Sequence, residues 1–300
     1  MNATPIAVLE HLAALLIAPP LMLGIIAKTK AAFGGRKGPP VLQPYHDLWK
    51  LMGKGAVYSR TTTWMFRLGP VLSLSAVLLA GLLVPLVRAA PFPFAGDAIL
   101  FAYLLGLGRF VTVAAALDAG SSFEGMGASR EVAFASFAEP ALILAVAALA
   151  NATGSLSLNG MFGGAMWGSF GAGLVLIVGS LFLVLLAENS RIPVDDPATH
   201  LELTMIHEVM VLDHGGPDLA YILYGSSVKL LLWSSLLVRL ILPAVPGAAG
   251  WAVWGLGIAG VAVAVGAVES SMARLRLTRV PQLLVAAVCA AAFAVMLTLK

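Results

Sequence analysis

Residues 187–218, AENSRIPVDDPATHLELTMIHEVMVLDHGGPD, form a polar break between two long apolar runs. The stretch holds seven of the fifteen acidic residues and three of the five histidines, in a chain that is 60% hydrophobic and only 11% charged. Soluble domains carry about 25% charged residues, so the composition identifies an integral membrane protein with one polar segment between spans. Within that segment, Asp196 before Pro197 predicts an N-cap with proline at the first helical position, after a turn over 191–195. On the helix expected to follow, His200, Thr204, His207 and Val211 share one stripe, with Glu208 beside it.

Outward from this segment, eight apolar runs are long enough to cross a hydrocarbon core of about 30 Å. They are 6–27, 68–87, 98–117, 132–150, 166–187, 219–242, 251–268 and 281–299. The runs are continuous rather than alternating, which excludes barrel strands. The expected fold is therefore all-α: a single polytopic membrane domain over 1–300, a bundle of eight transmembrane helices with amphipathic loops. Lys28, Lys30, Arg36, Lys37, Lys50, Lys54, Arg60 and Arg67 follow the first span, and Arg274, Arg276 and Arg279 precede the last, against Arg88 and Lys300 on the other side. That bias places the basic loops and the histidine-rich segment in the cytoplasm and both termini outside. The pI near 9.1 thus reports topology and implies no nucleic-acid partner. Residues 1–10 lack the basic start of a cleavable signal.

The first basic loop begins FGGRKGPPVLQPYHDLWKLMGKG at Phe33. Gly38, Pro39 and Pro40 predict a stiff extended turn, and residues 45–52 an amphipathic helix lying at the interface or against a partner. Between the third and fourth spans, DAGSSFEGMGASRE (118–131) reads as a small-residue loop carrying Glu124, Arg130 and Glu131. Arg109, Glu139 and Lys229 lie too deep in their spans to snorkel to water. Charges at such depth cost at least about 2.5–3.5 kcal/mol each, so they face the bundle interior and pair with one another. Two readings stand side by side: structural ion pairs that lock helices together, or a hydrated path along which protons exchange.

Other chemistry is narrowly bounded. Cys289 is the single cysteine, so the chain holds no disulfide, no structural zinc and no thiolate set for an iron–sulfur cluster. His207 and Glu208 begin a zincin-like HExxH, but Val211 stands where the second histidine belongs. His200 and His207 lie two turns apart and lack an obvious third metal ligand, which favours a structural or proton-handling role. Arg191 and Asp195, flanking Pro193, are expected to tie the turn together. No phosphate loop, dinucleotide fingerprint or nucleophile elbow is present. Any covalent or redox chemistry belongs to partners.

AENSRIP followed by DDPATHLELTMIHE, together with the RKGPP and QPYHDLWKL loop, Arg130 and Glu139, resembles the membrane-protein family of the complex I H subunit and the membrane-bound [NiFe] hydrogenases. The wording PATHLELTMIHE resembles the formate-hydrogenlyase type of hydrogenase branch, and Ala198 and His200 stand where quinone-reducing members have further glutamates. The resemblance implies a non-catalytic subunit of an oxidoreductase complex in the cell inner membrane. It assigns Glu139 and Glu188 to a charged channel and matches Arg191, Asp195 and Glu202 to the family's loop; Glu202 and, by their depth, Arg109 and Lys229 are expected on the same proton path. The docking loops for the soluble redox arm would present Arg36, Gly38, Pro39, Asp47, Arg130, Arg191, Asp195, His200, His207 and Glu208. Implied partners are hydrogenase large and small subunits, an iron–sulfur electron-transfer subunit, an antiporter-like membrane subunit and the lipid bilayer. The [NiFe] centre and iron–sulfur clusters are expected in those partners, with no cofactor or metal in this chain. A quinone-site subunit of complex I and a purely structural anchor stay open, while a stand-alone transporter would show paired repeats and broken helices that this sequence lacks.

Overall fold

The computed structural model describes residues 5–162, 171–196 and 205–299, and these are helical wherever they are regular. In chain order the helices are α1 (Pro5–Phe33), α2 (Gln43–Met52), α3 (Trp64–Gly81), α4 (Asp97–Asp118), α5 (Ser122–Thr153), α6 (Leu158–Phe162), α7 (Ala172–Glu188), α8 (Gly216–Ile241), α9 (Ala248–Ser271) and α10 (Val280–Thr298). Short 3-10 turns cover Glu208–Val211 and Leu277–Arg279. Among the described residues, seven helices are long and apolar enough to cross a membrane, which makes the chain a multi-pass membrane protein. The predicted run 166–187 is represented by α7, which begins at Ala172 and is 17 residues long.

The most buried span, α8, lies at the centre and packs against α1, α2, α3, α7 and α9. Residues 227–240 of α8 are buried save for Lys229, as expected of a helix apolar on every face. Around it, α3 pairs with α4, α1 with α9, and α10 with both α5 and α7. Polar caps fix the helix ends. Asp118, the last residue of α4, accepts from the Thr63 and Phe66 amides at 2.7 and 3.2 Å and from Thr63 Oγ1 at 2.9 Å, so the end of α4 caps the start of α3. At the opposite end, buried Asp97 accepts from Ser157 Oγ and the Leu158 amide at 2.8 and 2.6 Å, tying α4 to α6.

Helix α1 contains Pro19 and Pro20, which cannot donate to the carbonyls of Leu15 and Leu16. Tyr224 of α8 supplies a donor to the Leu16 carbonyl at 2.8 Å, and Tyr45 of α2 bonds the neighbouring Ile17 carbonyl. The break in the α1 ladder is thereby stitched to both neighbours. Gly38 follows with φ +63°, and a Cβ there would collide with that of Ala31, so the turn after α1 requires glycine.

Three expectations are corrected. The segment 118–131 is not a loop: α5 starts at Ser122 and runs 32 residues, and its small residues serve packing. A Cβ on Gly127 would lie 2.9 Å from both the Ile206 carbonyl and Met210 Cγ, so this face must be bare for the 205–211 segment to lie on it. Second, no α-helix runs through His207; residues 205–207 are irregular and only a 3-10 turn follows. Asp195 Oδ2 accepts from the Ile206 and His207 amides at 3.2 and 3.0 Å, and Arg130 donates to the Met205 carbonyl at 2.9 Å, which diverts the groups a helical ladder would use. Third, Arg191 and Asp195 tie the turn only through the backbone, the Asp195 amide donating to the Arg191 carbonyl at 3.2 Å, and their side chains do not pair with each other. Arg191 reaches Glu269 at 3.3 Å and Asp195 meets Arg274 at 2.9 Å, so the turn is fastened to the end of α9 and the loop after it.

Candidate functional site

Four helices bring the deep charges together. Arg109 of α4 binds Glu139 of α5 and Glu188 at the end of α7, with Glu131 of α5 at 3.5 Å. Lys229 of α8 meets the other oxygen of Glu188 at 2.8 Å. The planar guanidinium suits this arrangement, since its donors point in several fixed directions and serve three carboxylates at once. The expected partners Arg109, Glu139, Lys229 and Glu188 do converge, and Glu131 joins them two turns before Glu139 on the same helix.

Glu188 reaches Arg109 nine residues before α4 ends, so the chain leaves α7 while still inside the bundle. Asn189, Ser190, Ile192, Val194 and Asp195 are consequently buried. A small cavity of about 50 Å³ adjoins this re-entrant stretch, lined by Ser73, Thr112, Asn189, Ser226 and His207 as well as by Arg109, Glu131, Glu188 and Lys229. That is polar and large enough to hold water. On the other side of Arg109 and Glu139 opens a groove of about 840 Å³ between α4 and α5, floored by Glu188 and Trp233 and otherwise apolar. The cluster thus stands between a polar chamber and an apolar groove. Glu139 is its most open member, with 52% of its side chain exposed against 6% for Glu188.

The segment above the chamber is held by charged anchors. Arg130 grips the Met205 carbonyl, the side chain of Glu124 accepts from the Asp213 amide at 3.1 Å, and Asp195 holds residues 206 and 207. Half-buried His207 faces the chamber, and desolvation holds its pKa below the ordinary histidine value against the opposing pull of Glu131 and Asp195. His214 stacks on Phe66 at 3.9 Å, and burial lowers its pKa in the same way. A second ion cluster lies close by: Glu269 of α9 takes Lys30 at 2.9 Å and Arg191 at 3.3 Å, with its own side chain fully buried.

The remaining expected residues fall elsewhere. Arg36, Gly38 and Pro39 are exposed in the turn before α2, and Asp47 on α2 accepts from Gln43 at 2.8 Å; all stand apart from the Arg109 cluster. Glu208 is half-buried at the start of its 3-10 turn, whereas His200 and Glu202 lie outside the described residues. Among the described residues no three His, Cys, Asp or Glu side chains converge as metal ligands. Glu131 and Glu269 escaped the sequence reading of the site. Glu131 would have been found had 118–131 been read as helix, and the signal for Glu269 was an acid ending an apolar run opposite a lysine-rich loop.

A family model described as NADH dehydrogenase matches residues 6–300. Hydrogenase-4 component C of Escherichia coli K12 is 33% identical over 232 residues, covering 76% of this chain and 72% of that protein. Formate hydrogenlyase subunit 4 of the same organism is 31% identical over 275 residues, covering 88% and 89%. In fold, the chain is similar to a chain of the membrane-bound sulfane sulfur reductase, an archaeal respiratory membrane complex, with a TM-score of 0.81 at 23% identity over 96% of this chain and 97% of the other. With a family match along nearly its whole length and two relatives above 30% identity, this chain belongs to the NADH dehydrogenase family of membrane proteins, which also holds the H-type chains of complex I.

Proposed function

We propose that the chain is the membrane-anchoring and proton-path subunit of a membrane-bound [NiFe] hydrogenase complex of the formate hydrogenlyase type. Its basic end faces the cytoplasm and docks the soluble hydrogenase arm, both termini face outward, and α7 belongs to the fifth of eight spans. The large and small hydrogenase subunits and an iron–sulfur electron-transfer subunit sit over residues 34–55 and 189–215, and carry the [NiFe] centre and the clusters. An antiporter-like subunit is the neighbour within the membrane. Likeness to hydrogenase-4 component C and formate hydrogenlyase subunit 4 favours this branch over a quinone site.

The observation that carries the relay is the imbalance around Arg109: two cations, Arg109 and Lys229, serve three carboxylates, Glu131, Glu139 and Glu188. At such depth the surplus carboxylate either takes a proton or stands uncompensated, so the cluster exchanges a proton when nearby charge changes. A redox event in the docked arm alters the field at Asp195 and His207, which border the chamber reaching Glu188 and Glu131. The guanidinium then redistributes among its three partners, and the unbalanced negative charge moves from the chamber side toward Glu139. The arm does the redox chemistry, while this chain moves charge.

Glu139→Gln in the assembled complex tests the reading. Hydrogen evolution continues, and proton translocation measured in inverted vesicles falls at least tenfold. Unchanged translocation with full assembly would leave the chain a structural anchor.

A further inference from the structure

The groove between α4 and α5 opens among exposed apolar side chains and leads to Arg109, Glu139 and Glu188. It follows α4 over 98–109, about three turns or 16 Å. Its mouth is apolar, with Tyr103, Leu107 and Phe110 on α4 and Ile143 on α5 standing 50–74% exposed. Its wall on α4 is low: Ala98, Ala102 and Gly106 recur every fourth residue, and a Cβ on Gly106 would meet nothing within 4 Å. Small residues at this spacing let another helix approach closely. At the inner end of the groove lies Glu139, half-exposed, in a cluster with one carboxylate more than it has cations.

A phospholipid does not complete this surface, because an acyl chain would bring only methylenes against a carboxylate at this depth. We propose that the groove seats a transmembrane helix of a partner subunit, and that this helix presents a basic side chain to Glu139. The basic group supplies the missing cation when all three carboxylates are charged, and a proton taken up by the cluster releases it. An apolar helix flank covers Tyr103, Leu107, Phe110 and Ile143. The inference rests on the proposed membership of a membrane complex, but not on proton movement. It gives the relay a lateral exit into the partner, where a seated basic group would feel each change in charge at Glu139.

The test uses the whole complex in native membranes. Leu107→Cys and Ile143→Cys are placed singly in a Cys289→Ala chain, labelled with a benzophenone maleimide, irradiated, and the adducts sequenced by mass; Phe293→Cys on the exposed face of α10 is the control. Both groove positions are expected to capture the same apolar helix of one membrane subunit, with a lysine, arginine or histidine within a turn of the captured site, at a yield at least tenfold above the control. Glu139→Lys then lowers that yield about tenfold, and reversing the partner's basic residue to glutamate restores it. Adducts with lipid alone, capture of a helix without a basic residue, yields no higher than at residue 293, or failure of the charge swap would each overturn the proposal. If capture succeeds while Glu139→Gln leaves translocation intact, the seat stands and the proton path falls.

Discussion

Two ion clusters in this protein are built from the same side chains and do different work. At the basic end, Glu269 receives Lys30 and Arg191, and Asp195 receives Arg274; cations outnumber carboxylates, and Glu269 is wholly buried. In the bundle, carboxylates outnumber cations around Arg109, one carboxylate is half-exposed, and cavities open on both sides. The first cluster joins α1, the turn after α7, α9 and the loop beyond it, and is sealed from water at Glu269. The second joins α4, α5, α7 and α8 and is left incomplete. Buried charge alone therefore does not mark a functional site. A charge imbalance facing a cavity does.

The same isosteric change in each cluster separates them. Glu269→Gln leaves Lys30 and Arg191 facing a neutral amide, and breaking a buried pair costs about 3–5 kcal/mol; Lys30 retains access to water, which holds the loss near the lower end. The expected outcome is a large drop in the melting temperature of the detergent-purified complex, with hydrogen evolution and proton translocation per assembled complex preserved. Should activity per complex collapse while melting is unaltered, the distinction between the clusters is lost.

Glu188→Gln falls between the extremes. Glu188 is as buried as a clamp residue but touches both cations of the incomplete cluster. Its loss leaves Arg109 with two carboxylates and Lys229, which is less exposed than Lys30, with none, so a stability loss comparable to that of Glu269→Gln is expected together with at least a tenfold loss of translocation. Paired melting and vesicle assays on one preparation measure both. A stability loss alone would assign Glu188 to the structural class and narrow the path to Glu131 and Glu139.

The comparison also explains what could be read from the sequence. Apolar runs gave the spans because hydropathy is a property of consecutive residues, and the cost of deep charge required Arg109, Glu139 and Lys229 to meet. Composition in a window could not show that 118–131 is helix: its glycines and serines look like a loop, yet Gly127 is bare because Val209 and Met210 lie on it. Nor could it show that α7 stops at Glu188 within the bundle, which depends on Asp195 and Arg130 holding the returning chain. The side chains of Arg191 and Asp195 reach beyond their own turn for a related reason. Each found a partner near the end of α9, 78 or 79 positions away in sequence.

The smallest effect concerns two histidines that differ as the clusters do. His207 faces the polar chamber, whereas His214 lies against Phe66, with Asp213 and Asp218 only partly offsetting its burial. Burial lowers both pKa values, so the unfolded chain binds protons more readily than the folded one. Stability is therefore full above the ordinary histidine pKa of about 6.5 and declines as pH falls through it toward the folded values. His214→Phe keeps the ring stack and removes the titration, so melting temperature measured from pH 8 to pH 5 should fall less steeply, and the pH profile of translocation should not move. His207→Gln should shift that profile as well, because it removes a proton-binding group from the chamber wall. If the two substitutions act alike on translocation, access to the chamber does not govern which buried titratable group takes part in transport.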